Sequence, residues 1–294
     1  MVKWTDTKIA IILLTPLFIL NFGLSIYPMI YSLYLSFHDV NLFLNKFDYI
    51  GGLQYLKLFS DRSYGEATMV TIRFVVDSTI MVLLLSISIA LLLNRAFVGQ
   101  SIMRVIVILP WALSEFATAT AGRYLFNGSY GFVDAILYRL GLIEKYIDFL
   151  GSPFVVELLA FMYAWHLAPL GIFFILAGLQ TIPEDLNKQA KIDGASFFTR
   201  FRVVTLPFIR YAVLMTGIIA TIESARTADM IIVMTGGGPG TSSQTITFYI
   251  YKVFFRGLDL GYGAAGSWLL MAGLIIAITS YFIVLSMRRR VMQY

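Results

Sequence analysis

Between Lys8 and His38 the chain carries no Asp, Glu, Lys or Arg. A run of that length, apolar on every side, cannot be the surface helix of a soluble domain, which needs one polar face. About 20 mostly apolar residues cross the hydrocarbon core of a bilayer, and this run is longer, with Pro16 and Pro28 placed to kink it. Comparable runs recur at about residues 67–93, 102–126, 154–179, 208–234 and 261–287. Charged residues make up 13% of the chain and hydrophobic ones 59%, where a globular domain carries roughly 25% charge. The expected fold is all-α: one polytopic membrane domain over residues 1–294 with about six transmembrane helices. The first run is too long for a cleavable signal, and no small-residue cleavage site comes after it.

Several function classes drop out. The chain has no cysteine, which excludes disulfides and thiolate metal sites. The net charge of +5 does not point to nucleic acid, because the basic residues cluster at the ends of apolar runs, where membrane topology needs them. His38 and His166 lie in different segments, so no metal cluster is expected. No Gly-Lys-Ser/Thr phosphate loop occurs, so no nucleotide cofactor is expected. The GYGAAG stretch, Gly261 to Gly266, has dinucleotide-loop spacing but enters an apolar run and lacks a preceding strand. Gly261 with Ala265, and Gly263 with Ser267, read instead as small residues that let helices approach.

Placing the N-terminus inside puts about twelve basic residues on the cytoplasmic side against about seven outside. The inner set is Lys3, Lys8, Arg95, Arg104, Lys188, Lys191, Arg200, Arg202, Arg210 and Arg288 to Arg290. Both termini are then cytoplasmic, and so is the loop at about residues 180–207.

That loop contains KQAKIDGASFFTRFRVVTLP, Lys188 to Pro207. Pro183 suits a first helical position. Glu184 and Asp185 in the first turn, with Lys188 and Lys191 further on, complement a helix dipole. Asp193-Gly194 breaks that helix, and Asp193 or Ser196 can cap a second. In the second piece Phe197, Phe198, Phe201 and Val204 fall at helical spacing and make one apolar face, and Pro207 ends it before the fifth run. Such a face suits either the lipid headgroup region or a groove on a cytoplasmic partner.

The stretch resembles the "EAA" loop of permease subunits of binding-protein-dependent ABC importers. Ala190, Asp193, Gly194, Ala195, Phe201, Leu206 and Pro207 stand in that pattern, while Lys188 and Gln189 depart from its Glu and first Ala. A second segment, MTGGGPGTSSQTITFYIYKVFF, resembles the sugar-type permeases of the maltose and glycerol-3-phosphate importer group through Thr235, Gly237, Gly238, Pro239, Thr245, Tyr251 and Phe254. The resemblance implies a type I importer permease fold in which residues 180–207 form a coupling helix docked on a cytoplasmic ATPase. Ala190, Asp193, Gly194, Ala195, Phe197, Phe198 and Phe201 would make the contact. It implies that the loop at about residues 235–260, with Gly237, Gly238 and Pro239, faces outward toward an extracellular solute-binding protein or gate. The implied partners are a second, non-identical permease and an ATPase dimer, with a saccharide-like solute and no chemistry of the chain's own.

Charges at bilayer depth are costly and face protein or water. Arg73 and Asp77 are spaced to pair along one helix. Glu223, Arg226 and Asp229, at intervals of three, either neutralise one another or line a polar path. Glu115 and Trp165 are further candidates for that path, Trp165 by stacking on a sugar ring or simply by packing. In the sugar-type permeases this region contributes to the central pathway; Asp229 matches a common Asp there, whereas Arg226 stands where Asn is common. A secondary transporter coupled to an ion gradient would also suit the carboxylates Glu115, Glu223 and Asp229, but it needs no cytoplasmic docking loop and shows repeated halves, which are not seen here.

Overall fold

A computed structural model describes residues 6–42, 44–151 and 153–291. Lys3 lies outside the described residues. In chain order the elements are α1 (Asp6–Asn21), α2 (Tyr27–Leu35), β1 (His38–Asn41), β2 (Lys46–Tyr49), α3 (Leu53–Ser60), α4 (Arg62–Leu93), α5 (Gln100–Ala112), α6 (Glu115–Leu125), α7 (Phe132–Arg139), α8 (Val155–Gln180), α9 (Glu184–Ile192), α10 (Phe197–Arg200), α11 (Leu206–Arg226), α12 (Asp229–Met234), α13 (Ile246–Phe255) and α14 (Leu260–Val291). Among the described residues, five helical stretches are long and apolar enough to cross a membrane: Lys8–Leu35, Arg62–Leu93, Val155–Gln180, Phe197–Arg226 and Leu260–Ile283. A sixth crossing is reached if α5 and α6, bent by 95°, count as one.

The fold is therefore helical, as expected, but two of the runs are not straight spans. The third breaks at Leu113, whose backbone is extended, and Ser114 restarts it by accepting a hydrogen bond from the Ala117 N–H. The fifth breaks at Thr227, also extended, so that 229–234 becomes the separate helix α12. At Pro28, expected to kink its run, and at Pro207, expected to end one, the helix continues through a wider π turn. Phe22–Ile26 precedes Pro28 and Phe201–Thr205 precedes Pro207. A proline has no N–H to give and its ring collides with the carbonyl four residues back; a turn bonded five residues back makes room. Tyr27 and Leu206 donate to Phe22 and Phe201 in this way.

The chain divides into two compact units. One gathers the described residues up to Tyr64 with Ile250–Ala272. Its β1–β2 hairpin is antiparallel, with His38 opposite Tyr49 and Val40 opposite Phe47. A buried cluster joins Leu35, Val40 and Ala264, with Phe254 and Leu260 against it. Tyr262 donates to the Asp61 carboxylate at 2.7 Å. Gly261 does not serve a helix–helix approach: a methyl there would stand 2.1 Å from the His38 carbonyl oxygen, so it is the β1 backbone that comes close.

The other unit gathers Gly65–Tyr249 with the described residues from Gly273. Most of α8 is buried, as an all-round apolar helix should be at the centre of a bundle. Ala168, Ile172, Ile175, Leu176 and Leu179 of α8 meet Ala90 and Leu93 of α4 and Ile209 of α11. Gly171 lets these helices close up, since a methyl there would lie 2.4 Å from a Thr216 methyl and 2.5 Å from the Ser86 hydroxyl.

Candidate functional site

The bend at Asp193-Gly194 is built as the sequence implies. Gly194 has φ +72, the left-handed conformation that glycine alone enters without strain. Its N–H donates to the Lys191 carbonyl at 3.1 Å, and the Ala195 N–H reaches back to Ala190 at 2.9 Å. This pair is the Schellman closure of a helix C-terminus, and it ends α9. Ser196 then caps α10 by accepting from the Thr199 N–H at 3.3 Å. Asp193 takes the C-cap position of α9 and leaves the capping of α10 to Ser196. Pro183 is the N-cap residue, one place ahead of expectation. Lys188 folds back on Glu184 at 3.4 Å and Asp185 at 3.7 Å, all three well exposed; such pairs add little stability.

The four apolar residues of the second piece are not buried alike. Phe201, with Leu206, packs against the α4–α8–α11 cluster, while Phe197 is 48% and Phe198 79% exposed. The apolar stripe is thus covered at Phe201 and left open at its start. Ile192, at the end of α9, is 84% exposed. Nor does Pro207 separate this piece from the fifth run. From Phe197 to Arg226 the helix is continuous enough to form one candidate span.

At the far end of that span lies the polar group. Arg226 binds Glu223, with Nε at 3.0 Å and Nη2 at 2.9 Å from one carboxylate oxygen. Asp229 is exposed and, among the described residues, makes no ion pair with Arg226. Glu115, at the start of α6, accepts from the Thr227 hydroxyl and from the Met230 N–H, the latter at 3.2 Å. The structure thus joins Glu115 to the 226–230 region, which the sequence spacing could not show. Trp165 is partly exposed. Its neighbour His166 donates from Nδ1 to the Pro110 carbonyl at 2.9 Å, with the Thr118 hydroxyl 3.3 Å from the same nitrogen. The break after Ala112 leaves the Pro110 carbonyl without its helical donor, and His166 supplies one. Arg73 pairs with Asp77 at 3.9 Å, as its spacing implies, and also with Glu157 on α8.

Sequence reasoning missed Thr227, Pro110 and Thr118 as parts of this region. The signal that could have found the α5–α6 break is Ser114-Glu115, a cap residue four places after Pro110 with an acid directly behind it.

The glycine-rich loop closes on itself. Gly236 and Gly237 have φ +61 and +87. The buried Ser243 hydroxyl donates to the Gly238 carbonyl at 2.6 Å, with Thr235 Oγ1 2.8 Å from the same oxygen. Gly237 lies against the Phe248 ring, whereas Pro239 is exposed.

Residues 82–293 match the sequence profile of a family described as binding-protein-dependent transport system inner membrane component. A trehalose/maltose transport system permease protein of Thermococcus litoralis is 32% identical over 98% of this chain and 97% of its own length. A sulfoquinovosyl glycerol transport system permease protein of Agrobacterium fabrum is 33% identical over 96% and 93%. The fold is that of a crystal structure of a bacterial ABC transporter involved in the import of the acidic polysaccharide alginate, with a TM-score of 0.78 at 22% identity, over 96% of this chain and 95% of that one.

Proposed function

We propose, from the premise that this chain belongs to the family of binding-protein-dependent transport system inner membrane components, that it is the membrane-spanning subunit of an ATP-driven ABC importer for a sugar or sugar derivative. The relatives' names carry trehalose, maltose and sulfoquinovosyl glycerol, which supports a saccharide-like solute. The family is one of transport components, and the chain's part is to form half of a translocation path and move it. A second, non-identical permease supplies the other half, an ATPase dimer drives it from the cytoplasm, and an extracellular binding protein delivers the solute. The whole chain acts as one permease domain with both termini in the cytoplasm.

The observation that carries the reading is the bent α9–α10 element. It presents Ile192 and Phe198 outward, and its second arm runs without a break into α11, whose other end bears Glu223 and Arg226. A partner that grips the bend therefore holds one end of a lever whose other end reaches the polar group. Ala190, Asp193, Gly194 and Ala195 shape the bend, Ile192, Phe197 and Phe198 supply the apolar contact, and Phe201 anchors the second arm to the bundle. Glu115, Trp165, Glu223, Arg226 and Asp229 belong to the solute path. The loop with Gly237, Gly238 and Pro239 faces the binding protein.

Reconstituted vesicles test this directly. With both permeases, the ATPase and the loaded binding protein present, uptake is expected to require ATP on the ATPase side and to survive an ion uncoupler. Uptake without ATP or the ATPase, abolished by the uncoupler, would establish the ion-coupled alternative.

A further inference from the structure

The two helix breaks at 113–114 and 227–228 are remote in sequence yet share one carboxylate. At the second break the N-cap position of α12 is Ala228, which has no side-chain oxygen to offer the first-turn N–H groups. Glu115 supplies it from α6, accepting the Met230 N–H and the Thr227 hydroxyl on the same oxygen. The opposite end of α12 is closed from α6 as well. Arg123, in the last turn of α6, donates from Nη1 to the Val233 carbonyl at 3.3 Å. An acid thus meets the N-terminus of α12 and a base its C-terminus, the signs that a helix dipole favours. At the Arg123 end the two helices lie close: a methyl on Gly122 would stand 3.1 Å from the Met234 thioether sulfur.

We infer that α6 and α12 form one rigid bracket, closed by Glu115 at one end and Arg123 at the other, which moves as a single body about the breaks at 113–114 and 227–228 during transport. The inference rests on the transport reading above. Its content is mechanical: displacement of the 197–226 lever reaches α12 through Thr227, and Glu115 passes it to α6. Glu115 and Arg123 are positioning residues in this mechanism.

The test uses the absence of cysteine in the chain. Gly122→Cys and Met234→Cys are combined, the complex is reconstituted, and the pair is oxidised to a disulfide. A bracket that moves as one body keeps ATP-driven uptake within about twofold of the reduced state. Loss of uptake on oxidation, recovered by reductant, would overturn the inference, because it would mean that α6 and α12 separate in each cycle. A second arm compares Thr227→Val with Thr227→Ser. The serine hydroxyl can still donate to Glu115, so Ser should keep the wild-type uptake per ATP hydrolysed. Val should lower that ratio by roughly tenfold, as loss of a part-buried charge-assisted bond implies, while ATPase activity continues. Equal ratios in Val and Ser would contradict the inference. If Thr227→Val does not assemble, Arg123→Ala against Arg123→Lys gives the same comparison at the other end of the bracket. Failure of the unmodified complex to show ATP-dependent uptake would count against the transport reading instead, and so is distinguishable.

Discussion

Gly194→Pro is expected to cut solute uptake at least about tenfold while the chain still inserts and accumulates in the membrane. The residue sits at φ +72, and proline is fixed near −65°, so the chain cannot turn at this point. The substitution also deletes the N–H that bonds the Lys191 carbonyl, about 1 kcal/mol in itself. The larger consequence is geometric. The Schellman closure opens, α9 leaves its angle to α10, and the exposed Ile192 and Phe198 lose their fixed relative placement. Nothing lies within 4 Å of where a side chain would start at Gly194, so crowding plays no part and the effect is one of backbone angle. Gly194→Asn is the comparison, since Asn tolerates the left-handed region; it should retain most uptake. ATPase activity, uptake and membrane abundance measured together separate uncoupling from misfolding. Normal uptake by the proline variant would remove the bend from the mechanism.

Gly261→Ala is expected to destabilise the protein by about 1–3 kcal/mol, the usual cost of overpacking. The added methyl would stand 2.1 Å from the His38 carbonyl oxygen and 3.1 Å from the Val40 N. Both are backbone atoms of β1, itself paired to β2 and bonded by Gln54 at His38. No side-chain rotamer change relieves the contact, so the hairpin must shift. Thermal unfolding of the purified complex should fall by several degrees. Gly273→Ala, in the same helix α14 with open space around it, should be neutral or slightly stabilising through helix propensity. Equal melting of the two variants would show that the β1 contact carries no strain.

The sequence made the helical membrane class legible because apolar runs without charge have one solvent that suits them. The bend was legible for a local reason: Asp-Gly preceded by dipole-matched charges and trailed by Ser196 encodes a stop and a restart. Long-range geometry was not. The α5–α6 break hides in a run whose hydropathy stays high through Pro110 and Ser114, and hydropathy does not register a turn of the axis. The β1–β2 hairpin lies between the first and second apolar runs and leaves no sequence signal, since its strands have four residues each and β2 is exposed throughout. The charge group was read half correctly. Spacing of three permits both Glu223–Arg226 and Arg226–Asp229; the first pair forms, while the break at Thr227 puts Asp229 on another helix. Glu115 was picked out as a membrane carboxylate, but its bonds to Thr227 and Met230 cross more than a hundred residues of sequence, beyond any local pattern.

The central claim is that the bend around Asp193 and Gly194 lies in the cytoplasm against the ATPase subunit. Because the chain has no cysteine, a single Ile192→Cys substitution gives one reporter on an exposed position. A membrane-impermeant maleimide should label it in inside-out vesicles stripped of the ATPase, fail to label it in intact cells, and be blocked when the ATPase is added back. Labelling from outside intact cells, or equal labelling with and without the ATPase, would contradict that placement.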